Sequence, residues 1–180
     1  NKCLHCASFI IECQFLTIGA NSSANSDYAG AISGVGEPTG SYNSSIVKAS
    51  ASTGIQTLSG SNTFTGVVTI NGGTLKLGSA SALGTATNAQ SDRTIIATGA
   101  TLDLNGYSLN ELLWLSGTLI NTNSASVTNY TGQITLAGAS TITANNGAAY
   151  VSGNGTTQFY NFGTGTRSEE RRVGKECRSR

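Results

Sequence analysis

The sequence predicts an all-β chain built as a parallel β-helix, and three observations carry that expectation. Charged residues make up only 11% of the chain, well below the quarter usual for a globular domain. Short runs of Val, Ile, Leu and Thr recur along the body, as strands require. Two sequence patterns also return at uneven intervals, which suits a solenoid whose coils tolerate loop insertions. A composition led by Gly, Ser, Thr, Asn and Ala would leave a chain disordered if nothing apolar punctuated it. The recurring β runs mark this one as folded.

Residues 1–15 read as an uncertain fragment end. The apolar patch FIIECQFL (9–16) is short and interrupted by Glu12, a poor signal-peptide core. The chain opens on Asn1 rather than Met, as an internal fragment would. CLHCASFIIEC offers Cys3, His5, Cys6 and Cys13 as zinc ligands. One Cys-x-x-Cys without a second pair at finger spacing is a weak signal, so no metal or other cofactor is expected. The fourth cysteine is Cys177, and none lies between residues 14 and 166, as an oxidising compartment would favour. No stretch approaches the length of a membrane-spanning helix.

Residues 16–166 form the expected repeat region. SDYAGAIS (26–33), NTFTGVVT (62–69) and TNYTGQIT (128–135) each place an aromatic residue (Tyr28, Phe64, Tyr130) before a Gly and a β run. A second echo joins GGTLKLG (72–78), GATLDLNG (99–106) and SGTLIN (116–121), where a Gly turn feeds a Thr-Leu-x-Leu strand or its truncated form. Alternation puts Leu75 with Leu77, and Leu102 with Leu104, on one face, with Lys76 and Asp103 on the other. The interval from Leu75 to Leu102 is 27 positions and that from Leu102 to Leu119 is 17. An immunoglobulin-like sandwich would show turns at steadier spacing, and nothing here requires its two-sheet core. The segment YSLNELLWL (107–115) is the nearest to a helical pattern, but its repeat context argues for strand.

The physical case for a β-helix rests on stacking. Each coil supplies short strands joined by Gly/Asn turns, and one strand cannot bury its inner face alone. Coils about 4.8 Å apart pair every backbone N–H and C=O with the coil above or below. Expected inward residues are Leu58, Val68, Ile70, Leu75, Leu77, Leu102, Leu104, Leu113, Leu115, Leu119, Ile134, Leu136 and Ile142. Asn-Gly at 71–72, 105–106 and 146–147 is expected to supply positive-φ turns.

LSGSNTFTGVVTINGGTLKLGSASALGT (58–85) resembles an autotransporter-associated β-strand repeat, a unit that punctuates bacterial autotransporter passenger domains. YAGAISG and SSIVKASASTGIQTLSG upstream, and the coil-like sequences through YTGQITLAGASTI downstream, extend the resemblance over roughly residues 16–147. It implies a right-handed β-helical stalk, exported to the surface of a Gram-negative-type bacterium, extracellular or held at the outer membrane. In that family the repeat is thought to help the passenger fold and cross the outer membrane. The sequence has neither the ten-residue alternation of membrane barrel strands nor a signal, so export is inferred for a parent protein. The membrane would enter only through a missing translocator domain.

Enzymatic chemistry finds little support. Glycoside hydrolysis needs two carboxylates across a cleft, whereas Asp27, Glu37, Asp92, Asp103 and Glu111 are scattered. Asp92 and Arg93, in NAQSDRT, read as a solvated loop pair, and Asp103 and Glu111 as outward solubility residues. With His5 as the sole histidine, most His-based mechanisms are excluded from the body. Trp114 lies between Leu113 and Leu115 and is expected on the outer face. There it would either contact a ligand, stacking on a sugar ring or a partner protein, or simply cover a neighbouring loop.

The chain ends on a knot of charge. Residues 167–180 hold six of the ten Lys and Arg residues and carry +3, against −2 for the remainder. A basic run can attract nucleic acid or anionic lipid. RSEERRVGKECRSR, however, resembles a translated sequencing-library adapter over all fourteen residues, so it reads as a non-native tail. Without it the chain is mildly acidic and nucleic acid is not an expected partner. The expected function is a non-enzymatic structural stalk whose partners are neighbouring repeats and, in an adhesive role, extracellular glycans or proteins. The rival readings are a glycan-binding adhesin segment and a β-helical polysaccharide-degrading enzyme.

Overall fold

A computed structural model describes residues 16–19, 22–34, 44–85, 89–123, 128–130, 132–144 and 149–151. Its strands are β1 (Leu16–Ile18), β2 (Ser26–Tyr28), β3 (Ser44–Lys48), β4 (Ile55–Leu58), β5 (Val67–Ile70), β6 (Thr74–Leu77), β7 (Thr94–Ile96), β8 (Thr101–Asp103), β9 (Leu113–Leu115), β10 (Thr118–Asn121), β11 (Thr128–Tyr130), β12 (Ile134–Leu136), β13 (Thr141–Ala144) and β14 (Ala149–Val151). A 3-10 turn, Gln90–Asp92, precedes β7. No helix among the described residues is long and apolar enough to cross a membrane.

The chain visits two sheets in alternation. One has the order β1-β3-β5-β7-β9-β12 and the other β13-β10-β8-β6-β4-β2, with β11 and β14 forming a third, two-stranded sheet. Every strand pair among the described residues is parallel. Each circuit therefore lays its strands beside those of the previous circuit, which is the expected parallel β-helix.

The second sequence echo is the register of the stack. Thr74 lies beside Thr101 and Thr101 beside Thr118, while Leu75, Leu102 and Leu119 form the adjacent inward rank. The intervals of 27 and 17 positions differ because the connections differ, not the strands. Between Leu77 and Thr94 the chain inserts the loop that holds the 3-10 turn.

Inside, Leu58, Val68, Ile70, Leu75, Leu77, Leu102, Leu104, Leu113, Leu115 and Leu119 are buried as expected. Each such side chain contributes on the order of 1.5–3 kcal/mol through apolar burial. Ile134 and Ile142 are partly buried and pack on the same core. Leu136 departs from expectation at 53% exposure. It continues the rank of Leu115, but β12 is the last strand of its sheet among the described residues, so Leu136 has a described coil on one side only. Phe64 and Tyr130, the aromatics of the first echo, are buried, and Tyr28 is partly buried against the core.

The turns follow expectation at one Asn-Gly and differ at another. Asn105 and Gly106 have φ of 46° and 85°. At 71–72 the positive φ falls instead on Gly73, at 57°. Gly72 serves close packing, since a Cβ there would sit 2.4 Å from the Ser50 carbonyl oxygen. The pair at 146–147 lies outside the described residues. Within 107–115 only Leu113–Leu115 is strand, and Leu109 makes a single parallel bridge to Tyr130.

Candidate functional site

Trp114 sits at the centre of β9, half-buried, between the buried Leu113 and Leu115. Register places it in the outward rank Thr69, Ile95, Trp114, Thr135, as alternation requires. The Arg93 guanidinium lies 4.3 Å from the ring centroid, within range of a cation–π contact. Trp114 thus covers a neighbouring loop with one ring face.

That loop corrects an expectation. Asp92 and Arg93 are both buried, not a solvated pair. The Asp92 carboxylate accepts the Ala89 amide at 3.1 Å, and Arg93 Nη1 donates to the Gln90 carbonyl and, at 3.4 Å, to Gln90 Oε1. The longer connection folds back over the sheet, with the 3-10 turn beside β5, and removes both charges from water.

Glu111 is a second correction: it is inside, at 1% exposure. Glu111 stands two and four residues before Leu113 and Leu115, so strand alternation puts it on their face. The Thr94 hydroxyl donates to Glu111 Oε1, and the Tyr130 hydroxyl donates to the Glu111 carbonyl. Glu111 Oε2 meets no hydrogen-bond donor among the described residues. Burial pushes the carboxyl pKa up to about 8; the Thr94 hydrogen bond opposes this and the Asp92 charge adds to it. Burial, with the nearby Glu111 charge, also raises the Tyr130 phenol.

Asp103 does face outward, but it is buried rather than solvated. It accepts from the Asn105 amide at 2.9 Å, the Thr122 amide at 3.1 Å and the Thr122 hydroxyl at 2.7 Å. Lys76 approaches it at 3.8 Å. Asp27 is exposed and accepts from the Ser59 hydroxyl at 2.7 Å. Sequence reading missed Lys48, an inward residue on β3 with no exposed surface. Its Nζ donates to Ser52 Oγ at 2.7 Å and to the Gly72 carbonyl at 2.9 Å, and burial lowers its pKa. The alternation Ile46, Lys48 was the available signal.

The structure therefore brings Asp92, Thr94, Glu111 and Tyr130 together, and sets Asp103 on the opposite sheet. Among the described residues no group of three or more His, Cys, Asp and Glu could hold a metal. Cys3, His5, Cys6, Cys13, Cys177, Glu37 and the tail 167–180 lie outside the described residues.

The family model of the passenger-associated-transport-repeat matches residues 51–77. These residues run from the turn before β4, through β5, to the end of β6, and β6 pairs in register with β4. The matched unit is one complete coil. It is similar to a repeat of autotransporter passengers. The match is narrower than the 16–147 span of the expected resemblance, and it includes the whole NTFTGVVT motif. No curated protein and no solved structure matches the chain.

Proposed function

We propose that the chain is a structural segment of an autotransporter passenger, displayed at or released from the bacterial surface. One observation carries the reading: the passenger repeat similarity spans a single coil that returns on itself, with Leu77 beside Leu58 and Lys76 beside Thr57. A repeat of this length is a unit of folding. Once one coil is formed, its free backbone N–H and C=O groups template the next, and stability accumulates from nearest-neighbour contacts. Folding outside the membrane would then pull successive coils outward, with no catalytic group required.

The test is an in-frame deletion of residues 51–77 within the secreted parent. Protease-resistant passenger at the cell surface should fall several-fold, with precursor accumulating inside. Undiminished, protease-resistant display would reject the structural role.

A second reading is favoured by Trp114, which leaves part of its ring on the outer face beside Thr135. A sugar ring stacked there would make the segment adhesive. Loss of glycan-array binding in Trp114→Ala, with folding intact, supports adhesion; the absence of binding by the unaltered chain removes it.

A further inference from the structure

Glu111 is buried in the core and one of its carboxyl oxygens meets no hydrogen-bond donor among the described residues, an arrangement a stalk does not need. The groups that face it come from three elements: Asp92 from the 3-10 turn, Thr94 from β7 and Tyr130 from β11. Arg93, next to Asp92, is directed at the Trp114 ring. Among the described residues the Asp92 charge acts on Glu111 and repels a second negative charge. The next coil is seated directly on this residue. A Cβ on Gly132 would meet the Glu111 carbonyl oxygen at 1.8 Å and its amide nitrogen at 2.5 Å.

We propose that Glu111 is a proton latch: residues 109–115 stay seated between Thr94 and Tyr130 while the carboxyl is protonated, and open locally when the proton leaves. A neutral carboxyl with an idle oxygen is tolerated in the core, whereas an ionised one in the same place is not. Its escape breaks the Thr94 hydrogen bond and withdraws the carbonyl that receives the Tyr130 hydroxyl. β9 and the segment of Tyr130 and Gly132 therefore loosen together, while the coil of β4 to β6, which has no such group, stays closed.

The direction follows from proton linkage. The opened carboxyl titrates near its ordinary value of 4.5 and the closed one near about 8. Between these values the closed state holds more protons, so opening becomes easier by roughly tenfold per pH unit as pH rises. Above about 8 the effect levels off.

Hydrogen exchange of the full chain, read by mass spectrometry from pH 5 to pH 9 and corrected for the intrinsic chemical rate, tests the latch. Protection of residues 109–115 should fall about tenfold per unit up to pH 8 and stay well below that of residues 55–77, which exchange only through wider unfolding. Glu111→Gln should flatten that profile. Asp92→Asn removes the repelling charge and eases ionisation of the closed carboxyl, so the fall should level off at a lower pH and span less than in the unaltered chain. A flat profile in the unaltered chain, or an equal slope in Glu111→Gln, overturns the proposal. Should Glu111→Gln fail to fold, the profiles of the unaltered chain and of Asp92→Asn decide: if protection at 109–115 equals that at 55–77 at every pH in both, there is no local latch.

Discussion

Lys48 Nζ lies 2.9 Å from the carbonyl oxygen of Gly72, a residue of the next coil. Its rank otherwise reads Ile18, Ile70, Ile96, Leu115, so an aliphatic ladder holds one ammonium at a corner. The same group donates to Ser52 Oγ at 2.7 Å in its own coil. Lys48 thereby ties two successive turns through polar groups of each.

Lys48→Met keeps the length of the stem but leaves the Gly72 carbonyl without this donor. The expected loss is about 1–3 kcal/mol of unfolding free energy, measured by urea titration. Ile70→Met, in the same rank, should cost less than about 1.5 kcal/mol. Equal effects would mean that the hydrogen bonds of Lys48 contribute nothing net.

Two glycines separate conformational strain from steric exclusion. Gly99 has φ of 79°, and a Cβ there would have no atom within 4 Å, so Gly99→Ala should cost only the left-handed penalty, about 1–2 kcal/mol. At Gly117 a Cβ would stand 2.3 Å from the Ala97 carbonyl oxygen and 2.4 Å from that of Ala100. Gly117→Ala should be the more damaging of the two in thermal unfolding, because the obstructing atoms are backbone. The reverse ranking would contradict the stacking geometry.

Burial ranks the leucines. Leu102 is fully buried in the rank of Leu75 and Leu119, and Leu102→Ala should cost about 2–5 kcal/mol. Leu136→Ala, at an exposed position, should change stability by less than about 0.5 kcal/mol. Chemical denaturation of the two variants side by side checks the assigned faces.

Global stability should also depend on Glu111. Its folded pKa, at about 8, stands above the ordinary 4.5, so its contribution is whole at acid pH and declines as pH rises between those values. The decline is on the order of 1.4 kcal/mol per pH unit at most. Glu111→Gln should therefore gain relative stability at pH 8 over pH 5. A variant that tracks the unaltered chain at every pH would place the carboxyl in water.

What the sequence made legible was whatever depends on neighbours along the strand. Leu75 with Leu77 and Leu102 with Leu104 could be assigned to the core because a two-residue period and a preceding Gly turn recur. Glu111 was open to the same argument, since it shares its parity with Leu113 and Leu115, but its charge suggested solvent. Asp103 was correctly placed outward, yet its burial depends on Thr122, 19 residues away. The Arg93–Trp114 contact depends on how the connection before β7 folds back, a long-range outcome that no local period encodes. Lys48 shows the same limit: the partners of its ammonium, Ser52 and Gly72, lie on two different turns.

The alternation of the chain between two parallel sheets also sets how the molecule answers to force. Backbone hydrogen bonds run from coil to coil, so tension applied through the chain ends peels one circuit at a time instead of shearing a whole sheet. A circuit of about 20 residues releases roughly 70 Å of chain. Under a steady pull the segment would lengthen in a staircase of such steps, each coil acting as an independent breakable link that shields those behind it.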